Sequence, residues 1–211
     1  MKIKICGLKD KNNISQVSEA NPEYMGFIFY PKSPRFVGDK FEKNALELIP
    51  GSIVKTAVFV NESVENIVSI VDNYSFNAIQ LHGNESPEMC MQLKDKKLIV
   101  IKAFAIDEGF DFNSLIPYET HCDYFLFDTK TPAFGGSGKT FDWKLLSQYQ
   151  LETPFFLSGG LGIENLEAIL KLKHEKLYGL DFNSKLEDSP GIKNLQMINT
   201  VLVAIRNYEH I

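Results

Sequence analysis

Cysteine is scarce: three residues, at positions 6, 90 and 122, widely spaced and without a CxxC pair. That set indicates neither a disulfide framework nor a zinc site, and free thiols are expected. Basic residues are not in excess. Lys and Arg number 22 against 27 Asp and Glu, a formal charge of −5, which argues against nucleic acid or an anionic membrane as the main partner. A local basic pocket for a small anion is still compatible with that balance. No apolar run approaches the length that spans a bilayer, and Met1–Cys6 lacks the apolar segment of a signal peptide. The expected location is the cytoplasm. Long linkers, low-complexity segments and strong internal repeats are also missing, and 211 residues suit a single domain over 1–211.

What is present is alternation. Short β-branched or aromatic runs are separated by amphipathic stretches along the whole chain, the pattern of parallel βα units. Eight runs read as strands: Lys2–Cys6, Tyr24–Ile28, Ile53–Phe59, Ala78–Leu81, Leu98–Lys102, Tyr124–Phe127, Phe155–Leu157 and Leu177–Leu180. Several are continuously apolar, as parallel strands covered on both faces should be. Helices are expected near 10–20, 40–49, 63–73, 86–94, 142–148, 163–170 and 191–207, with start signals at Ser63 and at Ser86-Pro87. Asp107–Tyr118 carries Gly109 and Pro117 and predicts a degenerate helix. Eight units in this length predict a single (β/α)8 TIM barrel, whose chemistry lies beyond the C-terminal ends of the strands. A doubly wound sheet would want G-x-G-x-x-G after its first strand, where this chain has Cys6-Gly7-Leu8-Lys9.

Polar and reactive residues gather at those strand ends. Cys6 closes the first strand, Arg35 follows the second in a loop stiffened by Pro31 and Pro34, and Gln80-Leu81-His82-Gly83 ends the fourth. Lys102 ends the fifth, Asp128 the sixth, Ser158-Gly159-Gly160 follows the seventh and Asp181-Phe182-Asn183-Ser184 the eighth. Taken singly, each has an ordinary reading: a buried small thiol, a solvated arginine, a histidine satisfied by backbone, an aspartate capping a turn. A closed barrel would bring them to one face. Gly138-Lys139-Thr140 matches the end of a P-loop, but the required first glycine falls on Ala133. A flexible loop over the active site is the better reading.

In order along the chain, Lys4-Ile5-Cys6-Gly7, Gly26-Phe27 through Ser33-Pro34-Arg35, Phe59-Val60-Asn61, Gln80-Leu81-His82-Gly83, Gly135-Gly136-Ser137-Gly138 with Phe141-Asp142-Trp143, Leu157–Leu161 and the Asp181 segment resemble the phosphoribosylanthranilate isomerase family. The resemblance implies an Amadori rearrangement of a phosphoribosyl substrate in tryptophan biosynthesis, without cofactor or metal, by a monomer or homodimer. It makes Cys6 the general base, which needs thiolate character from nearby cations or helix dipoles, and Asp128 the general acid, favoured by burial against apolar walls. Arg35 would pair with the substrate carboxylate, with His82 and Asp181 as further substrate contacts. Gly159, Gly160, Asn183 and Ser184 would cup the phosphate. Two departures fall in the eighth loop: Lys185 stands where the family often has Gly, and Asn194 where it often has an acid. Lys185 is then a candidate helper of the phosphate. Cys90 and Cys122 read as structural. The rivals are the histidine-pathway isomerase, which would want an aspartate in place of Cys6, and a barrel that only binds a phosphorylated metabolite.

Overall fold

The computed structural model describes residues 1–38, 41–130 and 140–208. The glycine-rich stretch with Ala133 and Gly135–Lys139 lies outside the described residues.

Eight parallel strands close into one ring: β1 (Lys2–Cys6), β2 (Tyr24–Ile28), β3 (Val54–Phe59), β4 (Ala78–Leu81), β5 (Ile99–Ile106), β6 (Tyr124–Thr129), β7 (Phe155–Leu157) and β8 (Leu177–Phe182). Closure comes from β8 pairing with β1, with Lys4 opposite Asp181. The single TIM barrel expected from the alternation is thus the observed architecture. The helices between strands are α1 (Lys11–Glu19), α2 (Asn44–Glu47), α3 (Val64–Tyr74), α4 (Pro87–Lys94) and α5 (Leu166–Lys171), with α6 (Leu195–Tyr208) after β8. The start signals at Ser63 and Ser86-Pro87 act as read, each serine accepting a backbone N–H from the first turn and Pro87 opening α4, and Asp10, not among those signals, does the same for α1. None of the described helices is long and apolar enough to cross a membrane.

Strand residues alternate between two cores. Ile3, Ile5, Phe27, Ala57, Ile79, Phe125, Phe127 and Phe155 pack outward under the helices. Inside, the lower barrel is filled by Tyr24, Ile101, Leu126 and Phe156 with Tyr124 and Tyr178 against them. Tyr124 and Tyr178 stack at 4.3 Å, and the hydroxyls of Tyr24 and Tyr178 are 3.1 Å apart. Above this aromatic floor the facing residues turn polar.

Several boundaries differ from the sequence reading. The helix expected over 40–49 shrinks to Asn44–Glu47, which lacks a side-chain cap and meets Pro50. Residues 142–148 form a 3-10 helix, Trp143–Gln148, and the weak 107–118 segment forms another, Phe112–Tyr118. The helix expected from 191 begins only at Leu195. Pro190 and Gly191, the latter at φ 88°, turn the chain so that β10 (Ile192–Lys193) pairs antiparallel with β9 (Glu187–Ser189). β5 runs on to Ile106, so Lys102 lies within the strand and not at its end.

Candidate active site

The strands' C-terminal ends surround a pocket of about 460 Å³, lined by residues from β1, β2, β3, β4, β6, β7 and β8 or the loops that follow them. Its size suits a small metabolite. Cys6, Arg35, His82, Asp128, Gly159, Gly160, Asp181, Asn183 and Ser184, nine of the residues singled out in the sequence, line it; Lys102 and Lys185 do not.

Cys6 stands at the top of β1, 3% exposed. A Cβ on Gly26 of the neighbouring strand would lie 2.6 Å from its Sγ, so glycine is required there by close approach. One layer below, Lys4 is fully buried and donates to Asp181 Oδ1 at 2.8 Å, while the Ser158 hydroxyl donates to Asp181 Oδ2 at 3.2 Å. Burial pushes the Cys6 thiol up; Lys4 and Lys193 pull against it and Asp181 adds to it. Burial also opposes the charge of Lys4, but Asp181 and Cys6 outweigh it and hold its proton more tightly than usual. Asp181 therefore has a partner on each oxygen within the protein, and its place in the pocket wall is set by the Lys4 pair.

Arg35 is anchored, not solvated. Ser33 Oγ accepts its backbone N–H, and Lys9 donates to the Pro34 carbonyl, tying the loop after β2 to the loop after β1. Its guanidinium grips Glu187 through Nε and Nη2, with Nη1 outside that pair. Glu187 also accepts from Lys193 Nζ at 2.6 Å and from the Gly191 N–H at 3.1 Å. Lys193 donates to Asn183 Oδ1 at 2.8 Å as well. Burial works against the Glu187 charge, but Arg35 and Lys193 hold the carboxylate below its usual range. Burial brings Lys193 down to about 8, with Glu187 and Cys6 resisting. The β9–β10 turn thus delivers an acid and a base to the underside of Arg35.

Across the mouth, Asp128 is 8% exposed. Oδ1 accepts the Thr129 N–H at 2.8 Å, and Oδ2 lies 3.3 Å from His82 Nε2. His82 Nδ1 is in turn 2.7 Å from Gln80 Nε2. The close contacts of this carboxylate are thus a backbone N–H and an imidazole, in a pocket that Ile28, Val58 and Leu161 also line.

Gly159 and Gly160 have φ of 88° and 67°. A side chain at Gly159 would meet the Thr129 nitrogen at 2.7 Å and Asp128 Oδ1 at 2.9 Å, so its freedom lets the loop after β7 pass over β6. Ser184 opens a single 3-10 turn, Ser184–Leu186, and with Asn183 stands in the pocket wall. Lys185 does not join them: its Nζ is 2.5 Å from Glu164 Oε1. Asn194 accepts the Met197 N–H and caps α6, a task an acid would perform equally.

Lys102 is a correction. Its side chain faces the outer core, 3.1 Å from Glu85, and donates to the Gly83 and Ala103 carbonyls, while Glu85 accepts the N–H groups of Asn61 and Gly83. This buried clamp holds the loop after His82. Cys90 and Cys122 are buried away from the pocket. Sequence reasoning missed Lys4, Glu187 and Lys193 as site residues. The available signal was a lysine between two isoleucines in a strand otherwise buried on both faces.

A family model described as "PRAI: N-(5'phosphoribosyl)anthranilate (PRA) isomerase" matches residues 3–204. The N-(5'-phosphoribosyl)anthranilate isomerase of Phocaeicola vulgatus is 44% identical over 202 residues, covering 96% of each chain. The solved phosphoribosyl anthranilate isomerase of Thermotoga maritima superposes with a TM-score of 0.85 at 31% identity, over 98% of this chain and 99% of that one. Another, solved in complex with reduced 1-(o-carboxyphenylamino)-1-deoxyribulose 5-phosphate, gives 0.82 at 27% identity over 98% and 99%. With a closed eight-stranded barrel, a family model matching residues 3–204 and relatives of this identity, the chain belongs to the N-(5'-phosphoribosyl)anthranilate isomerase family.

Proposed function

We propose that Cys6 and Asp128 are the base and acid with which this chain isomerises N-(5'-phosphoribosyl)anthranilate to 1-(2-carboxyphenylamino)-1-deoxyribulose 5-phosphate, the Amadori step of tryptophan biosynthesis. The observation that carries the assignment is their placement: a thiol on β1 and a carboxylate on β6 line one pocket, on strands three steps apart round the ring.

Asp128 gives a proton to the ribose ring oxygen as the bond from that oxygen to C1′ breaks, and the anthranilate nitrogen lone pair closes a Schiff base. Cys6, as thiolate, takes the proton from C2′, and the electrons left behind neutralise the nitrogen and form an enolamine. Return of a proton to C1′ with loss of the enol proton gives the ketone. Each positioned proton transfer contributes roughly a hundredfold or more. Because the resting thiol is pushed up by burial, the cations Lys4 and Lys193 are what make its ionised form accessible.

In this reading the phosphate sits on the N–H groups of the loops at Gly159–Gly160 and Asn183–Ser184, and Arg35 receives the anthranilate carboxylate on the edge that Glu187 leaves open. Asp181 and His82 border the ribose. All these groups come from one chain, so neither a monomer nor a homodimer conflicts with the scheme, and a cytoplasmic location is part of it. Mixing purified protein with the substrate and following the loss of anthranilate-type fluorescence tests the activity. Steady loss is expected; a flat trace with folded protein would leave a barrel that only binds.

A further inference from the structure

Gln80 is 1% exposed, yet it lines the pocket, and its Oε1 is buried without a hydrogen-bond partner among the described residues. Its Nε2 lies 2.7 Å from His82 Nδ1. An amide nitrogen can only donate, so in this orientation Nδ1 is the acceptor and neutral His82 carries its hydrogen on Nε2, aimed at Asp128 Oδ2 at 3.3 Å. That arrangement suits a carboxylate. An acid, however, must begin each turnover holding a proton.

When the His82–Asp128 pair takes up that proton with its contact kept, two distributions are open. Either imidazolium faces carboxylate, or an imidazole Nε2 accepts from the carboxylic acid. Both carry a hydrogen on Nδ1. A donor at Gln80 then opposes a donor on the ring, whereas a half-turn of the terminal amide, a soft and nearly two-fold torsion, puts Oε1 against Nδ1–H. The acceptor that now lacks a partner is the one the protonated pair needs.

We propose that Gln80 is a positioning residue whose amide orientation follows the proton load of the His82–Asp128 pair, offering N–H when the proton has left and oxygen when it is held. This rests on Asp128 being the acid. Only a side chain with a donor and an acceptor on one pivot can serve both states; a carboxylate serves one, and a thioether can only accept, weakly. Among the described residues, the other titratable or charged groups that line the pocket with the pair are Cys6 on β1, Asp181 on β8 with Lys4 paired to it, and Tyr30, Lys32 and Arg35 after β2. They set the local field, but the hydrogen bond at Nδ1 is made by Gln80.

The test compares Gln80→Glu, Gln80→Met and Asp128→Asn with the parent, reading kcat against pH and the ring-nitrogen NMR signals of His82. Gln80→Glu can only accept at Nδ1, so it should hold Nδ1–H and move the alkaline limb of kcat upward by about one pH unit. Gln80→Met should leave a mixture of ring tautomers and lower kcat about tenfold with little change in KM. Should Gln80→Glu fail to fold, the tautomer readout on Gln80→Met alone decides. Unaltered His82 signals and an unmoved limb in the Gln80 variants, with Asp128→Asn inactive, would overturn this inference while sparing the catalytic scheme. An active Asp128→Asn would overturn both.

Discussion

Arg35 and Glu187 face each other across a buried pair, Nη2 lying 2.7 Å from Oε2 and Nε 3.0 Å from both carboxylate oxygens. Glu187 keeps Lys193 when Arg35 is removed, so Arg35→Ala should cost about 1–3 kcal/mol, less than the loss of a sole buried partner. In turnover it should raise KM more than it lowers kcat, because a carboxylate anchor acts equally on ground and transition states. An unchanged KM would remove Arg35 from substrate binding.

Asp128→Asn keeps the hydrogen bond from Thr129 to Oδ1 and should fold with a Tm close to the parent's. Its turnover should fall by orders of magnitude, since an amide has no proton to give the ring oxygen. Near-parental kcat in a folded variant would mean that another group is the acid.

Cys6 offers a pH test with a definite sign. Burial pushes the thiol up, so the thiolate fraction is small at neutral pH and grows as pH rises. Alkylation of Cys6 by iodoacetamide should therefore keep accelerating above pH 9, and should abolish activity in step with labelling. A rate that levels off below pH 8, or an inactivating label mapped to Cys90 or Cys122, would contradict this.

Glu187 is held below the usual carboxylate range by Arg35 and Lys193. A depressed carboxylate contributes stability that is present above its ordinary value of 4.5 and lost as pH falls through its folded value. Glu187→Gln should be less stable than the parent near neutrality and should lose stability less steeply on acidification. Parallel curves of unfolding free energy against pH would show that the pair contributes nothing.

Lys102 and Glu85 are both almost fully enclosed, and Lys102→Met would leave a buried carboxylate with only backbone donors. A loss of about 3 kcal/mol is expected, partly recovered in the double variant with Glu85→Gln. Additive losses in a denaturant cycle would mean that the two do not interact.

The barrel was legible because its strands are short apolar runs whose polar residues sit at one end. Asp128 and Cys6 could be picked out for that reason. Lys102 was misplaced because a strand's true end depends on pairing: β5 continues beside β6 as far as Ile106 opposite Thr129, which the run Leu98–Lys102 does not encode. Lys4 was passed over because a lysine between isoleucines reads as a solvent-facing alternation. Only barrel closure turns that face inward, onto an aspartate 177 residues away. Lys193 was hidden inside a predicted helix, since a turn at Pro190-Gly191 and a two-residue strand leave almost no periodic signal.

The ring-filled lower barrel sets the traffic of the reaction. Because Tyr24, Tyr124, Phe156 and Tyr178 occupy the axis beneath the pocket, nothing the size of a sugar phosphate passes through the barrel from end to end. Reactant arrives and product departs by the same doorway above the strand tips. The two molecules are constitutional isomers carrying the same carboxylate and phosphate, so each should exclude the other from the pocket, and accumulated product should act as a competitive inhibitor whose departure clears the way for the next turnover.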